Sequence, residues 1–267
     1  MHKVTLGLVA ALVLVGTSCQ KLKSRDQLNQ GVRAFQSAQY PEAVEHFKTA
    51  VELDPAFPTA RLYLATAYFQ QYIPGAESPE NTQMAKAAYD QFMKVLEQSP
   101  KDKVAIASIA SLYLNQKKWD DAQRWYEKLV AVDKNNADAY YSLGFIAWSR
   151  WYPAYGMARV ELGMRQDDPG PIKDKKVKEE LKGKWLPVID SGLQSLDKTL
   201  QINPEYEDAM SYKNMLIRER ADLLDSKDEY EKEIKVADGW LQKALDTKKI
   251  KMERKEKKSG GGIVAEK

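Results

Sequence analysis

Small and aromatic side chains recur in this chain at a fixed helical spacing, and that recurrence leaves few folds open to it. In the stretch "NQGVRAFQSAQYPEAVEHFKTAVELDP", Gly31 and Ala34 stand on one helical run, Ala43, Phe47 and Ala50 on a second, and Pro55 follows. Small residues at Gly31 and Ala43 allow two antiparallel helices to approach closely. Phe47 and Ala50 keep the spacing of a packing face, and Pro55 stops the second helix. The theme returns with Leu64, Ala65 and Tyr68, then Ala88, Phe92, Val95 and Pro100. A third unit has Ile109, Ala110 and Tyr113, then Ala122, Tyr126 and Leu129, with Lys134 where proline is expected. A fourth opens with Tyr140, Leu143, Gly144 and Ala147 and resumes at Gly192, Leu196, Thr199 and Pro204. A poorer fifth runs from Glu207 through Ile217 to Ala237, Leu241 and Ala244. No segment sustains a period-two alternation, so an all-α chain is expected.

These residues resemble the tetratricopeptide repeat (TPR) pattern, W-x₂-L-G-x₂-Y followed by A-x₃-F-x₂-A-x₄-P. The resemblance implies an all-α TPR helix-turn-helix solenoid, a right-handed superhelix of about five helix pairs with insertions in repeats two, four and five. The repeats are expected near 24–57, 58–102, 103–136, 137–206 and 207–248, with Gly31, Ala43, Phe47, Pro55, Ala88, Pro100, Ala122, Gly144 and Pro204 as repeat-packing positions. Tyr68 and Ala88 are 20 residues apart, where the repeat allows about nine, so roughly eleven residues around "YIPGAESPENT" lengthen that connection. Ala147 and Gly192 are 45 apart, an excess of about 36 on the same count. A degenerate last repeat suits a cap, which turns a more polar face to water.

The first residues read MHKVTLGLVAALVLVGTSC. Lys3 precedes an apolar run from Val4 to Val15, and the small residues Gly16, Thr17 and Ser18 lead to Cys19, the single cysteine of the chain. That is the order of a secretory signal, and twelve apolar residues fall short of the ~20 a permanent span needs. Cysteine at the small-residue boundary resembles a bacterial lipoprotein signal, which implies residues 1–18 as signal peptide, Cys19 as the lipidated residue and 19–23 as a short tether. The pattern departs from the family in having Gly16 three residues before the cysteine, where Leu is preferred. A plain signal peptide and an unmodified thiol are the other readings. Two or more buried acyl chains give stable attachment without a transmembrane helix. The implied location is the cell envelope, at the outer membrane facing the periplasm.

Removing residues 1–18 leaves 40 basic against 38 acidic residues, a balance that argues against nucleic acid as a partner. Lys248–Lys258 holds seven basic and two acidic residues before a Gly-rich end. Residues 249–267 are expected as a basic flexible tail, either solvated or in contact with an anionic surface.

Catalytic inventories fail. The chain has two histidines, His2 in the leader and His46 beside Phe47. With Cys19 acylated there is no thiol nucleophile, and neither a multi-His nor a His-Cys zinc site can be assembled. Asp120 with Asp121, and Asp167 with Asp168, stand where helices start or turn, which are capping positions first. No enzyme, no cofactor and no metal are expected.

In TPR folds the first helix of each pair lines a concave groove. The corresponding positions here are Leu28, Val32, Phe35, Leu62, Phe69, Leu114, Tyr141, Phe145, Trp148 and Met215, an apolar and aromatic set. The Lys and Asn of the carboxylate-clamping subclass are missing, so an amphipathic helix or extended apolar protein segment is the expected partner. The same residues also suit repeat core. The insertion near 149–187 carries Trp151, Tyr152, Tyr155 and six lysines. It reads either as a lid packed on repeats four and five or as a recognition loop. The functional expectation is a membrane-tethered scaffold for protein–protein interactions, in assembly of outer-membrane or pilus and secretion components. A recognition module for glycan or nutrient uptake is the alternative, and an enzyme with its site in the insertion ranks below both.

Overall fold

The computed structural model describes residues 2–165 and 168–260, and the side chains of 19–257 among them. Helices account for nearly all of it, with no strand among the described residues. They are α1 (His2–Gln36), α2 (Tyr40–Leu53), α3 (Pro58–Gln71), α4 (Pro79–Gln98), α5 (Lys103–Asn115), α6 (Trp119–Val132), α7 (Ala137–Glu161), α8 (Lys175–Ile202), α9 (Glu207–Ala221) and α10 (Lys227–Gly260). Two compact units divide them, residues 1–125 and 126–267, with the boundary inside α6.

The same two turns join the helices again and again. Three first helices end by donating across six residues: Gln39 N to Ala34 O at 2.9 Å, Lys118 N to Tyr113 O at 3.0 Å and Met164 N to Arg159 O at 2.8 Å. Each such turn has one left-handed residue, at Ala38 (φ 58°), Lys117 (φ 56°) and Gly163 (φ 67°), as this closure of a helix end requires. Second helices end in a tight turn instead. Phe57, Asp102, Asn136 and Tyr206 each donate from backbone nitrogen to the carbonyl three residues before, at Asp54, Ser99, Asp133 and Asn203. Pro55, Pro100 and Pro204 occupy the second position of these turns, where proline's fixed φ is already correct. Lys134 sits at the equivalent place and the turn still closes, so proline pre-sets the geometry without being needed for it.

In the first unit α1 packs on α2, and α3 on α2, α4 and α5. Gly31 is the closest point, since a Cβ there would stand 2.5 Å from Cε1 of the fully buried Phe47 ring. Phe47 stacks on Tyr63 at 5.4 Å, and Ala43, Val44, Ala50, Ala60 and Leu64 complete this core. Ser24 Oγ donates to Ala50 O at 2.7 Å and ties the start of repeat one to α2. His46 lies between Gln27 (Nδ1 to Oε1, 2.9 Å) and Glu42 (3.8 Å), a structural position. Residues 19–23, expected as a short tether, are a turn of α1. Gln, Lys and Leu favour the helix, which shortens their reach from ~3.5 to ~1.5 Å per residue.

In the second unit α7 pairs with α8, α9 with α10, and α9 also packs on α7 and α8. A Cβ on Gly144 would lie 2.5 Å from Leu196 Cγ, and one on Gly192 2.6 Å from Ala147 Cβ, so the glycine pair sets the α7–α8 spacing. The insertion near 149–187 is not a loop. Pro153 lies inside α7 and Pro187 inside α8, so both helices run several turns past ordinary repeat length and the left-handed closing turn is postponed to Gly163. Trp151, Ile172, Ile189 and Leu216 are almost wholly buried where this extension meets α9. The basic end is also helical: α10 reaches Gly260, with Lys251 paired to Glu207 and Arg254 to Glu205 at 2.7 Å. No helix breaker precedes Ser259, so a flexible stretch from 249 is corrected to helix. Residues 261–267, like Asp167, lie outside the described residues. Among the described residues no helix is long and apolar enough to cross a membrane.

Candidate functional site

The expected groove residues are distributed between the two units. In the first, Leu28 is buried in the core, with Val32 and Phe35 packed against it. Phe35 meets Tyr40 edge-on at 5.2 Å, Phe69 meets buried Phe92 at 6.5 Å, and Leu62 and Leu114 are half-buried. These are chiefly packing residues.

The second unit concentrates the aromatic positions. Tyr141, Phe145 and Trp148 rise at helical spacing on α7, and Tyr212 of α9 touches all three, at 5.8, 5.3 and 5.3 Å between ring centres. Tyr206 stacks on Tyr141 at 4.9 Å and Tyr152 on Trp148 at 4.8 Å, which extends the row at both ends. Met215 is half-buried on α9. Burial pushes the Tyr141, Tyr206 and Tyr212 phenols up, so they remain neutral hydrogen-bonding groups.

Tyr152 belongs to a second feature. A cleft of about 620 Å³ runs along the α7 extension, lined by Tyr152, Pro153, Gly156, Met157, Val160 and Met164. Met157 and Val160 are 64% and 74% exposed. Large apolar side chains left this open and grouped on one helix face mark a contact surface more often than scattered ones do. The aromatic row and the apolar cleft are therefore one strip along α7.

A buried polar layer fixes that strip from beneath. Glu219 of α9, 6% exposed, accepts from Trp148 Nε1 at 3.0 Å. Its other oxygen and Trp151 Nε1 have no hydrogen bond, although Trp151 stands near enough to favour the charged form. Burial dominates all the same and pushes Glu219 up to about 8. Next to it Asp222 accepts from Tyr155 Oη at 2.7 Å and pairs with Arg159, both partners of the ion pair being 4% exposed. Arg159 also donates to the carbonyls of Arg165 (2.7 Å) and Asp168 (2.6 Å), and Asp222 O receives Ile172 N at 2.9 Å. Burial raises the Asp222 pKa while Tyr155 and Arg159 oppose it. Lys178 and Lys182 close the edge on Asp225 at 2.8 Å each, holding that exposed carboxylate down at about 2. This layer binds α7, the 162–174 connection and the α9–α10 turn into one body.

Tyr206, Tyr212 and Tyr152 were not among the residues expected to line a groove, nor were Glu219, Asp222 and Arg159 expected beneath it. Their signal was present as spacing: Tyr212, Met215 and Glu219 follow at i, i+3 and i+7, and Trp148, Trp151, Tyr155 and Arg159 continue one stripe. No group of three metal-ligating side chains occurs among the described residues. Cys19 is exposed on α1.

Repeated helix pairs joined by the two alternating turns define a helix-turn-helix repeat fold of the TPR type. A family model described as TPR repeat matches residues 33–71 and 110–149. Among solved structures, a crystal structure of MamA aligns with a TM-score of 0.57 at 15% identity, covering 84% of this chain and 96% of that one. MamA 41-end from Desulfovibrio magneticus RS-1 aligns at 0.57 and 17% identity, over 85% and 96%. A MamA RS-1 double mutant gives 0.58 and 16%, over 86% and 96%. At these identities the likeness is one of fold. No curated protein matches the sequence.

Proposed function

We propose that the chain is a non-catalytic scaffold of the cell envelope, tethered to the membrane by a lipid on Cys19, that binds protein partners along α7. The observation that carries the reading is the exposed apolar strip at Met157 and Val160, continuous through Tyr152 with the aromatic row. An amphipathic helix or extended apolar segment matches it, with a few large side chains as anchors. The rigid layer at Asp222 supports this, because a preorganised surface loses less ordering entropy on binding. A leader ending in Cys19 and its exposure on α1 support the tether. An outer-membrane, periplasm-facing position and a part in assembling membrane or pilus and secretion components complete the proposal.

The test is photo-crosslinking in intact cells from a probe at Met157, with and without Tyr152→Ala and Val160→Asp. A discrete protein adduct that both substitutions abolish, with helicity preserved, is expected. Adducts indifferent to them, or glycan alone, refute the reading. Cys19→Ala is expected to move the folded protein out of the membrane fraction, and its continued attachment refutes the lipid tether.

A further inference from the structure

The lengthened α3–α4 connection has no role in the α7 strip, yet the first unit devotes a buried polar residue to its shape. Asn81, 7% exposed, accepts from Ile73 N at 2.7 Å and donates to Ile73 O at 2.8 Å and Ala76 O at 2.7 Å. Ser78 caps α4 by accepting from Asn81 N at 3.1 Å, and Gly75 takes the left-handed conformation (φ 80°) that the bend requires. A loop pinned in this way is a built wall. Facing it across a cleft of about 680 Å³ are the first turns of α4 and the end of α5 with its turn, a volume within the range of small-ligand sites.

The lining is chemically mixed. Tyr72, Tyr89 and Tyr113 supply rings, and Glu77, Asn115, Gln116, Lys117 and Lys118 supply polar groups. Tyr89 meets Tyr113 edge-on at 5.8 Å, and the Lys118 ammonium lies 5.8 Å from the Tyr113 ring centre. Lys86, also in the lining, is already paired with Asp90 at 2.6 Å. The side chains of Tyr72, Glu77, Asn115, Gln116 and Lys117, by contrast, have no hydrogen-bond or ion-pair partner among the described residues.

We propose that this cleft binds an acidic oligosaccharide, sugar units bearing carboxylates. Hydroxyl-rich sugar rings need donors and acceptors together with flat apolar surface, and amides, a phenol and a carboxylate beside tyrosine rings supply both. Polar and apolar lining are mixed in similar measure, which suits a sugar better than a purely apolar helix, and an acidic peptide, which meets Glu77 as an acidic sugar does, lacks the hydroxyls that the amides and the phenol can bond. The free Lys117 and neighbouring Lys118 outnumber Glu77 in charge, which selects a sugar carrying carboxylates over a neutral one. This inference is independent of the α7 strip.

Titration calorimetry on the detergent-solubilised full chain tests it with tetragalacturonate, neutral chitotetraose and hexaglutamate as probes. Tetragalacturonate is expected to bind at least about tenfold more tightly than either other probe. Tyr72→Ala with Lys117→Gly, both in helix connections, Tyr72 half-buried and Lys117 exposed with the glycine suited to its left-handed turn, is expected to weaken it by about tenfold or more, as the loss of a charged hydrogen bond implies. Tyr152→Ala is expected to leave it unchanged. Absence of binding at millimolar sugar, preference for hexaglutamate, equal binding of chitotetraose, or insensitivity to the double substitution would each overturn the proposal.

Discussion

Glu219 gives the buried layer under the α7 strip a measurable pH signature. Its carboxyl is held at about 8 against an ordinary 4.5, burial being the main cause. The folded chain therefore keeps a proton that the unfolded chain has released. The sign follows directly: the stabilisation is complete below pH 4.5, falls as pH rises, and is gone above about 8. At ~1.4 kcal/mol per pH unit, the loss between pH 5 and pH 8 is roughly 3 kcal/mol, a large part of a domain's stability. Asp222, also raised by burial, acts in the same direction. Exposed carboxylates lowered by lysine partners, such as Asp225 beside Lys178 and Lys182, act oppositely and on the acid side of pH 4, outside this window.

Glu219→Gln removes the proton equilibrium and keeps an oxygen for the Trp148 indole. Guanidinium denaturation at pH 5, 6, 7 and 8 reads the effect, followed by tryptophan fluorescence because Trp148, Trp151, Trp185 and Trp240 all belong to the second unit. The native chain is expected to lose roughly 3 kcal/mol across the series, and the variant to lose about 1 kcal/mol or less. Above pH 8 the variant is expected to be the more stable of the two. Parallel slopes in both proteins would show that Glu219 is ionised and solvated in the fold, and the argument for a buried neutral carboxyl would fail.

Arg159→Met leaves Asp222 buried without its cation and is expected to cost about 3–5 kcal/mol by the same denaturation assay. Arg159→Met with Asp222→Leu should recover most of that, because the desolvation penalty leaves with the charges. Gly31→Ala pushes a methyl against the Phe47 ring and is expected to destabilise the first unit by about 1–3 kcal/mol. Gly156→Ala, in helix α7 with nothing within 4 Å of the added Cβ, should raise the melting temperature slightly, equivalent to about 0.5–1 kcal/mol.

The repeat was legible because its packing residues act locally. Gly31 with Phe47, and Gly144 with Gly192, announce close helix approach by size alone, and the proline after three of the second helices marks a turn that recurs in the structure at four places. What escaped the sequence was the weight of one proline against a continuing stripe. Pro153 reads as a break, yet proline inside a helix removes only one backbone donor and crowds one carbonyl, a penalty of ~3 kcal/mol. Burying Trp151 and Tyr155, and joining Arg159 to Asp222 less than two turns further on, outweighs it. Tyr212 escaped for a related reason. On α9 alone it is one tyrosine among polar neighbours, and its contacts with Tyr141, Phe145 and Trp148 exist only once α9 lies against α7. Long-range pairing of this kind leaves spacing in the sequence but no partner, which is why the aromatic row was read as a groove although its rings pack on one another. The part left for a partner is then the cleft beyond Tyr152, on the extension of α7 past Pro153.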